Sequence, residues 1–160
     1  MNKLLIAFAL VLCFNCNSIA QKKTKETTKI YKITKTVAEW KAQLTAKEFY
    51  VLRQAGTERA LSSPLNIENG EGIYVCKGCE TPLFKSEHKY DSGSGWPSFD
   101  REIKGNVDFS TDYDLGYART EEHCATCGGH LGHVFGDGPK ATTGKRHCIN
   151  GMSLKFIPSN

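Results

Sequence analysis

The chain has 160 residues, of which 24% are charged and 39% hydrophobic, with a formal net charge of +4 and seven cysteines. That length holds one domain around one core. The positive charge is local: residues 21–35 carry six lysines and one glutamate, whereas residues 36–160 carry 14 basic and 16 acidic side chains, and no basic stripe with interleaved aromatics marks a nucleic-acid surface.

Residues 1–20 read as an export signal. Lys3 supplies the positive start, Leu4 to Leu12 the apolar stretch, and Ser18-Ile19-Ala20 the small-residue cleavage site. The apolar run is too short for a good membrane span. The expected location is therefore the periplasm or cell envelope. Membrane attachment is expected only if Cys13 or Cys16 carries lipid, and Leu12 and Asn15 stand where lipidated cysteines have a small neighbour. Residues 21–35 read as a Lys/Thr-rich, solvated linker, and residues 36–160 as the folded domain.

Two capping boxes open that domain. Thr36 with Glu39, and Thr45 with Glu48, place a hydroxyl and a carboxylate where a first helical turn has unpaired amides. They predict helices over 37–44 and 46–54, the second ended by Gly56. After residue 70 the period changes to two. Strands are predicted over 72–76, 82–84, 107–110, 115–119, 131–135 and 153–157, with turns at 91–95 and 136–139. The fold class is mainly β (α+β): antiparallel β-sheets stapled by zinc, preceded by a short helical cap.

The staple is predicted from Cys76-Lys77-Gly78-Cys79 and Cys124-Ala125-Thr126-Cys127, 44 residues apart. Each tight pair offers two sulfurs from one turn, and two pairs complete the all-thiolate tetrahedron of one structural zinc. The alternative is disulfide chemistry, which an oxidising compartment permits. Cys148 is left without a partner. It lies in Arg146-His147-Cys148-Ile149-Asn150, where the i, i+2 spacing of a strand puts the guanidinium beside the thiol and predicts a lowered thiol pKa. Asn150 falls on the same face, with an amide to donate. His130 and His133 form a pair without the glutamate of a zinc protease motif, and Asp137 is placed to orient an imidazole. Trp96, in a Gly-Trp-Pro loop, is a candidate wall for a small apolar group.

Trp96-Pro97-Ser98-Phe99, His130-Leu131-Gly132-His133-Val134-Phe135, Asp137-Gly138-Pro139 and Arg146 to Asn150, in this order with both cysteine pairs, resemble the methionine sulfoxide reductase B family. The resemblance runs from about Thr36 to Ile157. It implies reduction of the R epimer of methionine sulfoxide, free or in oxidised proteins, one structural zinc on Cys76, Cys79, Cys124 and Cys127, and a thioredoxin-like reductant. By resemblance Cys148 is the nucleophile, and His130 and His133 position and protonate the sulfoxide oxygen. Trp96 and Phe135 bind substrate, Arg146 and Asn150 tune and orient the thiol, and Asp137 supports the histidines. Three positions depart from the family pattern. Ser94 stands where many members have a resolving cysteine, His147 replaces an aromatic, and Gly151-Met152 replaces a small pair. With no resolving cysteine left, direct reduction of a Cys148 sulfenic acid by an external thiol is expected. Nothing in the sequence demands more than a monomer. A zinc-stapled binding module would need the four cysteines but not Cys148, His130, His133 or Arg146. A dithiol oxidoreductase would cycle Cys76 and Cys79 instead of holding metal.

Overall fold

The computed structural model describes residues 29–159. The predicted export signal and residues 21–28 of the linker lie outside the described residues. From Tyr31 the chain lies against the folded body. The Ile33 amide donates to the Thr126 carbonyl, and the Tyr31 ring sits where a Cβ on Gly128 would be. The second half of the expected tether is thus a strap over the second cysteine turn.

Both capping boxes form. Thr36 starts α1 (Val37–Gln43) and Thr45 starts α2 (Ala46–Gln54), each hydroxyl accepting from the amide three residues on and each glutamate returning the contact. Ala55, at φ 51°, ends α2 one residue before the predicted stop at Gly56. Trp40, Phe49, Val51 and Leu52 are the buried side of this cap.

Nine strands follow: β1 (Gly72–Cys76), β2 (Pro82–Lys85), β3 (Lys89–Tyr90), β4 (Ser98–Phe99), β5 (Val107–Asp112), β6 (Arg119–Cys124), β7 (His130–Phe135), β8 (Arg146–Ile149) and β9 (Leu154–Pro158). They build two antiparallel sheets, of order β2-β1-β9 and β3-β4-β8-β7-β6-β5. The core fills the space between sheets and cap. Tyr74, Phe84, Phe99, Leu131 and Ile149 are fully buried, with Phe84 stacked on Phe99 at 4.4 Å and Tyr74 edge-on to Phe99 at 5.0 Å.

The strand expected over 115–119 is a correction. Residues 113–118 form the tip of the β5–β6 hairpin, and the strand begins only at Arg119. Gly116, at φ +81°, turns the chain there, and Tyr113, Leu115 and Tyr117 point to solvent. Their alternation imitates a half-buried strand without any face to bury. The short β3 and β4 carry too few residues for a period to show.

Candidate active site

Strand β8 puts Arg146 and Cys148 on one face and the buried His147 and Ile149 on the other. Cys148 pairs with His133 on β7 and with Ser98 on β4. It opens into a cavity of about 140 Å³ lined by Trp96, Arg119, His133, Phe135, Asn150, Thr57 and Gly132. That is smaller than the clefts of about 300–1,000 Å³ that hold drug-sized ligands, and suits a small head group. Burial pushes the Cys148 thiol up, and the Ser94 hydroxyl and Arg146 guanidinium counter it only in part. Arg146 pulls the thiol down as its spacing predicts, but loss of water outweighs it and the net direction is upward.

His130 and His133 are three apart, a spacing that in a regular strand faces opposite sides. Register decides otherwise. Glu121 pairs with His133 and Glu122 with Gly132, but His123 pairs with His130, so Leu131 is an extra residue on β7. This bulge brings both rings together, their centroids 5.5 Å apart. Each ring has its own carboxylate. His130 Nδ1 lies 2.6 Å from Glu121 Oε1, and His133 Nε2 lies 2.7 Å from Asp112 Oδ2. Asp112 also pairs with Arg119 across the hairpin. Despite burial, the hydrogen bonds and charges of His123 and His130 hold Glu121 below the usual carboxylate range. Burial lowers His133, with Asp112 opposing. Each carboxylate fixes one ring nitrogen, and the Nε2 of His130 is buried without a partner.

Asp112, Arg119 and Glu121 escape motif reading because they belong to no named cluster. A signal was nevertheless present: Arg119, Glu121 and His123 alternate on one face of β6. Asp137, by contrast, does not orient an imidazole. Its two oxygens accept from Arg146 Nε and Nη2, both at 2.9 Å, while the guanidinium lies 4.5 Å from the Phe135 ring centre. The turn after β7 carries Asp137 toward the start of β8, away from the histidine end. Gly138 permits that turn, since a Cβ there would meet the Lys145 carbonyl at 1.9 Å.

Asn150 lines the cavity, but its amide is committed to the backbone: it donates to the Leu131 carbonyl and accepts from the Glu58 amide. Glu58 is a second residue that motif reading misses. Its carbonyl accepts from Trp96 Nε1, and its carboxylate accepts from the amides of Gly151 and Met152. Glu58, four residues beyond α2, thus holds both the aromatic wall and the turn after the thiol strand. Gly151 fits because Ser63 fills the space beside it, 1.9 Å from where a Cβ would stand.

The four paired cysteines converge, all sulfurs within 4.8 Å of one another and none in a disulfide. Cys76 and Cys127 lie 3.7 Å apart, and Cys79 and Cys124 3.4 Å apart. A tetrahedron of thiolates about 2.3 Å from a central ion has edges of about 3.8 Å. The donor set fits a metal ion. Among the described residues no other group of three or more metal-ligating side chains gathers. His130 and His133 belong to no such group, and their carboxylates engage the rings instead.

Among the described residues, a thiol outside the four-thiol cluster and opposite one of two paired, carboxylate-backed imidazoles defines the class: a cysteine-dependent redox enzyme with a separate four-thiol cluster whose donors fit a metal ion. Comparison with known proteins specifies it. Residues 44–158 match the SelR domain. The peptide methionine sulfoxide reductase MsrB of Alteromonas mediterranea is 51% identical over 119 residues, covering 74% of this chain and 83% of its own. That of Leptospira interrogans is 50% identical over 127 residues, covering 79% and 96%. The mitochondrial methionine-R-sulfoxide reductase B3 of Mus musculus is 45% identical over 130 residues, covering 81% and 51%. The chain belongs to the methionine sulfoxide reductase B family.

Proposed function

We propose that this protein reduces the R epimer of methionine sulfoxide to methionine, with Cys148 as the nucleophile. The observation that carries the reading is the register of β7 against β8, which sets Cys148 opposite His133 in a small cavity walled by Trp96 and Phe135. The Cys148 thiolate attacks the sulfoxide sulfur while an imidazolium of the His130–His133 pair gives its proton to the oxygen. The S–O bond breaks, the oxygen moves to Cys148 as a sulfenic acid, and methionine leaves. Trp96 and Phe135 hold the methyl group. Arg146, fixed by Asp137, offsets charge at the thiolate, and Asn150 and Glu58 hold the segment after it.

Two equivalents of an external thiol then return Cys148 to the thiol, releasing water and one disulfide. A thioredoxin-like protein suits this step, because Ser94 has no sulfur to resolve the intermediate. Cys76, Cys79, Cys124 and Cys127 would hold one zinc ion, whose role is to join two hairpins. Export to the periplasm or envelope would place the enzyme among oxidised proteins.

Racemic methionine sulfoxide supplied with dithiothreitol tests the reading, with the two sulfur epimers resolved over time. Selective loss of the R epimer, absent in Cys148→Ser, is expected. Turnover surviving in Cys148→Ser would assign the chemistry to another thiol.

A further inference from the structure

Between Cys148 and the interior of the sheet runs a chain of three hydroxyls. Ser94 Oγ lies 3.8 Å from Cys148 Sγ, within hydrogen-bonding range for sulfur. Ser92 Oγ is 2.8 Å from Ser94 Oγ and 2.7 Å from Ser98 Oγ. Ser98, the residue paired with Cys148 across β4 and β8, is buried and lies 3.1 Å from the Trp96 carbonyl. The chain ends there on a group that only accepts. The loop holding it is fixed by its own backbone. The Ser94 amide donates to Ser92 Oγ, the Trp96 amide to Ser94 Oγ, and the Gly93 amide to Asp91.

Each hydroxyl has one proton to give and lone pairs to receive. Two arrangements therefore exist on the same heavy atoms, one ending on the Trp96 carbonyl as acceptor and the other on the Cys148 sulfur. With Cys148 as a thiol, S–H donates to Ser94, Ser94 to Ser92, Ser92 to Ser98, and Ser98 to the Trp96 carbonyl. With Cys148 as a thiolate, Ser98 donates to Ser92, Ser92 to Ser94, and Ser94 to the sulfur. Three rotations about C–O bonds interconvert them.

We propose that Ser94, Ser92 and Ser98 form a reversible hydroxyl relay that follows the charge on Cys148, so that Ser94 acts as the hydrogen-bond donor to the thiolate. No proton travels along the relay. The thiol proton leaves to the cavity, and the hydroxyls turn. A donor delivered this way strengthens along the chain, since each hydrogen bond polarises the next. The role of the site in sulfoxide reduction rests on the function proposed above, but the relay itself concerns only the thiol equilibrium. Other charged or titratable groups bear on that thiol: Arg146 on its own strand, Tyr90 on β3, Arg119 and Glu122 on β6 and His133 on β7. All of them are left intact in the test.

The test uses the full chain and measures the rate of iodoacetamide labelling against pH, read by mass spectrometry on the peptide that contains Cys148. Ser94→Ala is expected to move the labelling profile to higher pH and to slow labelling at pH 7 about five- to tenfold, as loss of a hydrogen bond to a charged group implies. Ser92→Ala and Ser98→Ala, which leave Ser94 in place, should move it the same way by about two- to threefold. Ser94→Thr should restore the wild-type profile. A Ser94→Ala profile that coincides with the wild type overturns the proposal. So does a shift in Ser94→Ala with none in Ser92→Ala and Ser98→Ala, which would make Ser94 a solitary donor. Failure of the sulfoxide reductase reading would appear differently, as wild-type protein with this labelling profile and no turnover of methionine sulfoxide.

Discussion

At Cys148, loss of water raises the thiol while the Ser94 hydroxyl and the Arg146 guanidinium lower it, and at His133 burial favours the neutral ring while Asp112 favours the charged one. The reactive pair needs thiolate and imidazolium together, so both groups are held away from the state the chemistry uses. Asp112 sits where it restrains this. In Asp112→Asn its support for the cation is gone, and burial takes His133 lower still. The low-pH limb of kcat/KM should move to lower pH and the plateau should fall about tenfold, because a smaller fraction holds the imidazolium. A pH–rate profile on methionine sulfoxide checks this, and an unmoved limb would show that His133 is not the acid. The stability consequence has a definite sign. A folded-state value below the ordinary histidine value gives a contribution that is full above about pH 6.5 and lost as pH falls through the lowered value. Glu58 acts through others. Glu58→Ala frees the Gly151 and Met152 amides but keeps the carbonyl that accepts from Trp96 Nε1, and kcat/KM should drop at least about tenfold as the loop after β8 loosens. An unchanged KM and kcat would remove it from the positioning set.

Between elements, the contact that decides most is the one between β7 and β8. A Cβ on Gly132 would stand 2.1 Å from the Cys148 carbonyl oxygen. Gly132→Ala therefore has to push β8 away, and should cost activity by about two orders of magnitude even where the protein still folds. Measured kcat together with far-ultraviolet circular dichroism separates the two effects. Behind the same sheet, β6 and β8 are tied by a buried polar contact. His147 Nδ1 lies 2.6 Å from Glu122 Oε1 with both side chains fully buried, and Glu102 approaches the other ring nitrogen at 3.3 Å. His147 points to the face opposite the thiol, with its ring held against the buried Glu122 carboxyl. Replacing one partner leaves the other without compensation. His147→Phe should destabilise by about 3 kcal/mol, and adding Glu122→Val should recover most of it. Chemical denaturation of the two variants reads the difference; equal stability would mean that the pair is not coupled.

For the molecule as a whole, the four-thiol cluster joins what the sheets leave apart. Cys76 and Cys79 lie at the β1–β2 turn of the three-stranded sheet, and Cys124 and Cys127 at the β6–β7 turn of the six-stranded one. His130 begins the strand that leaves the second turn. A chelator that strips the proposed zinc from this cluster should lower Tm by more than about 10 °C, and activity should be lost with the fold rather than before it. Thermal melts and turnover recorded on the same samples check the order. Activity lost at full native structure would give the metal a role in chemistry.

The sequence carried the capping boxes, the two-residue-spaced cysteine pairs and the lone Cys148, because each is a local pattern whose physics is complete within a few residues. Thr36 with Glu39 needs one helical turn, and Cys76 with Cys79 needs one knuckle. The family likewise was legible, since its motifs keep their order along the chain. Only the tertiary structure decided the rest. The bulge at Leu131 gives two histidines of odd spacing a common face, and it exists only in the pairing with β6. Asp137 meets Arg146 rather than a histidine because the turn at Gly138 directs it there. Asp112, Glu121 and Glu58 act on residues nine to 94 positions away, distances over which spacing carries no signal. The hairpin tip at residues 113–118 alternates like a strand, and only the absence of a packed neighbour shows that it is not one.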